Sequence, residues 1–92
     1  MNLNVQVPVS IFREGKHYIA YTPVLDVSAS GKDYTQAIKR FHEVVVIFFE
    51  EVMKKGALKE VLTNLGWREI KKQWKPPMLI AQESQRIELA IK

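Results

Sequence analysis

Residues 17–41, HYIAYTPVLDVSASGKDYTQAIKRF, constrain the fold more than any other part of the chain, because they force a strand, a turn and a helix start into one short stretch. Residues 18–21 are aromatic and apolar, as a strand requires. Pro23 ends that strand, since it has no backbone donor and holds Thr22 to extended geometry. Asp26, Ser28 and Ser30 then give an acidic, hydroxyl-rich connection, and Gly31 permits a turn before the helix. Asp33 and Gln36 have the spacing of a capping box: the carboxylate accepts from the Gln36 amide, and the Gln36 side chain is expected to reach back to the Asp33 amide.

The flanking segments extend this α+β pattern. Leu3, Val5, Val7, Val9 and Ile11 occupy alternate positions, which predicts a half-buried strand from residue 3, with Pro8 at a sheet edge. Glu14, Gly15 and Lys16 are expected to turn it into the strand His17–Thr22, which is apolar on both faces and so reads as central, or as covered by a second subunit. Over 34–55 an amphipathic helix is predicted, with Tyr34, Ala37, Phe41, Val45, Phe48 and Val52 as its core stripe and Gly56 as its stop. Val46, Phe49 and Met53 form a second, offset stripe, assigned either to contact with the next helix or to a protein partner. A short helix is predicted over 57–65 from Leu58, Val61, Leu62 and Leu65. Residues 67–74 are read as extended before the Lys75-Pro76-Pro77 exit, and Ile87, Leu89 and Ile91 alternate as a final strand. The expected architecture is an antiparallel sheet of three to four strands, with a long and a short helix on one face, in a single domain spanning 1–92.

Ninety-two residues make one core of the size that often relies on a partner surface, so a homo-oligomer, dimer or higher, is expected. No apolar run approaches the roughly 20 residues needed to cross a bilayer. The first dozen residues alternate where a signal peptide would be continuously apolar, which points to the cytoplasm and away from membranes. The sequence has no cysteine, which excludes disulfides, thiolate nucleophiles and cysteine-based zinc sites. The net charge of +4 is unevenly spread. Residues 54–75 hold seven bases against Glu60 and Glu69, so the rest of the chain sums to −1.

Tests for chemistry find no constellation. There is no G-x-S-x-G or S-x-x-K nucleophile motif, no H-E-x-x-H, no phosphate loop and no dinucleotide fingerprint. His17 and His42 stand apart in sequence. Asp26, Glu43, Glu50 and Glu51 are the carboxylates a metal-dependent nuclease would need, but the three glutamates suit the solvent face of a helix better, beside Lys39, Lys54 and Lys55. No catalytic residue, metal or cofactor is therefore assigned. Trp67 and Trp74, interleaved with Arg68, Lys71, Lys72 and Lys75, have the composition of a surface that stacks bases and binds phosphates, which makes nucleic acid the alternative partner.

Residues 18–37, YIAYTPVLDVSASGKDYTQA, resemble the signature of the HicB-like antitoxin family: a strand of the form Y-x-A-x-x-P-x-L, a small-residue turn with Gly, and a helix with Thr and Ala near its start. The resemblance extends to Phe48-Phe49-Glu50-Glu51, Leu65-Gly66-Trp67 and Trp74-Lys75-Pro76-Pro77. It implies a partial ribonuclease H-like fold without the nuclease's catalytic set, and a non-enzymatic protein that neutralises a small, basic ribonuclease toxin of the HicA type. Tyr21, Pro23, Asp26, Ser28 and Gly31 would then be its signature hinge. Many members append a DNA-binding segment, which is not expected in this chain. Partner binding falls to Val46, Phe49 and Met53.

Overall fold

The structure is a computed structural model and describes residues 3–91. Its element order is β1 (Ser10–Glu14), β2 (His17–Thr22), β3 (Val27–Gly31), α1 (Tyr34–Lys54), α2 (Leu58–Asn64), β4 (Arg68–Ile70) and β5 (Gln73–Lys75). The first three strands form an antiparallel sheet of order β1-β2-β3, and β4 and β5 form a separate hairpin. The molecule is a small α+β protein, with β2 central as its two apolar faces require.

The register sorts the sheet into two faces. Phe12 lies opposite Ile19, and Tyr21 lies opposite both Ser10 and Ser28. Those residues share the face away from α1. Ile11, Ala20, Ala29 and Gly31 occupy the other, and Ile11, Ala20 and Ala29 pack with Ala37 and Phe41 of α1. Gly31 makes that packing possible: a Cβ there would lie 2.9 Å from the Ala37 Cα, so only glycine lets the helix start this close to the sheet.

Three expectations about strands are corrected. The hydroxyl-rich stretch after Asp26 is itself a strand: Ser28 and Ser30 point to the open face while Ala29 points inward. The N-terminal strand begins at Ser10, not at residue 3, and residues 3–9 run outside the ladder. Leu3, Val5 and Val7 nonetheless pack on the core, so the alternation reports burial without strand pairing. Residues 87–91 form no strand. Residues 76–91 have no regular structure, and Ile87, Leu89 and Ile91 are exposed; Lys92, which closes the expected alternation, lies outside the described residues.

α1 begins at Asp33, whose Oδ1 accepts from the Gln36 amide at 2.7 Å. The return bond differs from expectation by one residue: Gln36 Oε1 accepts from the Lys32 amide at 2.7 Å, not from that of Asp33. Ala37, Phe41 and Phe49 of α1 are buried, whereas Tyr34 at its first position is exposed and leaves the expected stripe. α2 ends in a Schellman arrangement, with the Gly66 amide donating to the Thr63 carbonyl and the Trp67 amide to that of Leu62. Gly66, at φ 89°, turns the chain so that Trp67 folds back onto Leu62. Burying a side chain such as fully enclosed Leu62 is worth roughly 1.5–3 kcal/mol, and this cluster unites Val24, Leu25, Phe49, Leu62, Trp67 and Trp74.

Candidate functional site

The signature hinge is built by the turn between β2 and β3. Pro23 follows the last residue of β2, and Val24 and Leu25 drop into the core behind it. Asp26 closes the turn at φ 54°, a left-handed conformation that aspartate tolerates better than most side chains. Its Oδ1 accepts from the Tyr21 hydroxyl at 3.1 Å. That hydrogen bond, with partial desolvation and the nearby negative charge as smaller causes, raises the Tyr21 pKa above its ordinary 10.0. The Trp67 indole donates to the Val24 carbonyl at 2.8 Å, a buried bond that ties the hinge to the end of α2. Asp26 and Tyr21 thus serve the conformation of the hinge. Among the described residues, no three His, Asp or Glu side chains gather into a metal-binding group.

The offset helix stripe divides. Phe49 is buried, with its ring edge-on to Trp67 at 6.2 Å between centroids, and belongs to the core. Val46 and Met53 remain 42% and 39% exposed. They line an open groove of about 670 Å³ between α1 and the arm 3–9, whose other wall is Leu3, Val5, Val7 and Val9. His42 and Glu50 stand on its helix side. α2 does not cover Val46 and Met53, whereas Phe49 shares a core cluster with Leu62 of α2, which meets the first expectation for the stripe and removes Phe49 from the expected partner surface.

The basic aromatic segment divides as well. β4 and β5 pair Arg68 with Lys75, Glu69 with Trp74 and Ile70 with Gln73, so side chains alternate between two faces. Trp74, 8% exposed, points into the core, and Trp67, 2% exposed, lies behind the ribbon. Neither tryptophan is available for stacking, which removes both from the expected nucleic-acid surface. Arg68, Lys71, Lys72 and Lys75 are all exposed.

Phe12 and the arm 3–9 are among the contributors to exposed apolar surface that sequence reasoning missed. Phe12, 55% exposed, sits beside Ile19 on the sheet face away from α1. It falls on the polar phase of the N-terminal alternation, and that break of phase was the available signal. The arm 3–9 was read as a strand, whereas it supplies a groove wall.

The fold and these surfaces define a small α+β protein whose exposed features are an apolar groove, an open sheet face and a basic ribbon, with no gathered catalytic or metal-binding group among the described residues. No family model, curated protein or solved structure matches the chain. Among the described residues, no helix is long and apolar enough to cross a membrane.

Proposed function

We propose that this chain is a HicB-like antitoxin-type protein, with the partial ribonuclease H-like fold its signature implies, acting in the cytoplasm by binding and without catalysis. Its partner on this reading is a small, basic ribonuclease toxin of the HicA type. The observation that carries the proposal is the open groove, in which Val46 and Met53 stay exposed on α1 opposite the apolar arm 3–9. Electrostatics agree with it. The positive charge is concentrated in residues 54–75, whereas the helix wall of the groove carries Glu50, the charged group a basic partner would meet there.

The test is suppression of RNA cleavage by a HicA-type ribonuclease. Stoichiometric addition of the protein is expected to abolish cleavage. Val46→Glu/Met53→Glu should restore it by placing charges on the buried part of the contact, while melting at the parent temperature because both positions are exposed in the free protein. Cleavage that continues in an excess of the protein overturns the proposal. The same reading assigns self-association to the Phe12–Ile19 face, measured by light scattering; a monomer at every concentration would remove that part.

A further inference from the structure

The β4–β5 ribbon breaks two local rules of hairpin stability in the space of eight residues. Its two-residue turn is Lys71-Lys72, and both residues have positive φ, 51° and 64°, which is the type I′ geometry normally filled by Asn-Gly. Neither lysine has the side chain for that conformation. In the strands, Arg68 lies directly opposite Lys75, where like charges repel. Glu69, the one acid in the ribbon, lies on the opposite face with Trp74. Local rules broken together, without compensation in the fold, are expected where a surface serves a ligand.

We propose that this ribbon is a binding site for the phosphodiester backbone of a nucleic-acid duplex, held by Arg68, Lys71, Lys72 and Lys75. Trp74 anchors the ribbon to the core, so the cations are presented on a fixed platform and not on a mobile tail. A three-residue strand pair spans about 10 Å, and a DNA duplex carries about one charge per 1.7 Å of axis, so several phosphates lie within its reach. Duplex is favoured over single strand because single-strand surfaces rely on exposed aromatic platforms, and both indoles here are in the core. Arg68 and Lys75 also form part of the wall of an open groove of about 940 Å³ facing residues 4–8, which leaves both cations accessible. The site lies on a different element from the α1 groove and stands or falls independently of the protein partner proposed above.

The full chain is titrated against fluorescein-labelled, mixed-sequence duplexes of DNA and of RNA, about two helical turns long, with anisotropy read across a salt series. Four phosphate contacts on DNA predict a log–log salt slope of about −3.6, or roughly a 150-fold loss of affinity between 50 and 200 mM salt. Lys71→Gln/Lys72→Gln should reduce the magnitude of that slope by about 1.8, whereas Lys71→Arg/Lys72→Arg keeps it. A second variant separates binding from folding: Lys71→Asn/Lys72→Gly suits the turn, so it should melt higher than the parent while binding duplex more weakly. If only the DNA or only the RNA arm binds, the backbone source is identified and the proposal stands. It is overturned if neither duplex binds at low salt, if Lys71→Gln/Lys72→Gln or Lys71→Asn/Lys72→Gly binds as the parent does, or if single strands or poly-glutamate bind better than both duplexes.

Discussion

At the scale of single residues, Tyr21 and Asp26 show a polar pair doing conformational work that resembles a catalytic arrangement. The phenol donates to a carboxylate at 3.1 Å, and this bond keeps the proton on Tyr21 beyond its ordinary range. Because the folded pKa is raised, the pair's contribution to stability is fully present below about pH 10 and is lost as the pH climbs through the folded value. In a Tyr18→Phe/Tyr34→Phe background, the tyrosinate absorbance of Tyr21 is expected to titrate above 10.0, and Asp26→Asn should bring the midpoint back towards it. An unchanged midpoint would show that the bond is absent in solution. Asp26 was legible in the sequence as a hinge residue through the resemblance to the HicB-like signature. Its partnership with Tyr21 was not, because the two meet only when the turn of residues 23–26 folds the strands together.

At the scale of elements, α1 was the most legible part of the chain, since its cap, its period and its stop all agree. Asp33→Ala is expected to cost about 1 kcal/mol, as measured by urea unfolding, and Asp33→Asn much less, because asparagine still caps. The one-residue shift of the Gln36 return bond to Lys32 was invisible in the motif, which specifies spacing but not the path of the preceding backbone. Strands were read less well for a shared reason. Period-two alternation records that one side of an extended segment is apolar, but a ladder also needs a neighbour. Residues 3–9 have the period and bury it without a ladder, and residues 87–91 have the period and bury nothing. Conversely β3, built from Val, Ser, Ala and Gly, has a weak pattern and becomes a strand because β2 supplies the partner. The bases of the candidate ribbon were legible as composition; that pairing register would send Trp74 inward and leave Arg68 and Lys75 outward was not.

At the scale of the whole molecule, the radius of gyration is 16.0 Å, against about 12 Å for a compact domain of this length. Residues 76–91 have no regular structure and lie outside both hydrophobic clusters. Gln82 donates to the Ser10 hydroxyl at 3.0 Å, an exposed bond that contributes little. Deleting residues 80–92 should therefore change the unfolding free energy by no more than about 0.5 kcal/mol in a urea titration, and a larger loss would mean that the tail packs in solution. The two clusters are joined through Val7 and Val45, yet they differ in one respect that bears on how the protein can be observed. Both tryptophans of the chain lie in the cluster where ribbon, α2, hinge and α1 converge, and the Ala20–Ala37–Phe41 cluster has none. Intrinsic fluorescence is consequently a local gauge: it reads the joint that Trp67 clasps to Val24 and the anchorage of the ribbon through Trp74, while circular dichroism, dominated by α1, reads the remainder.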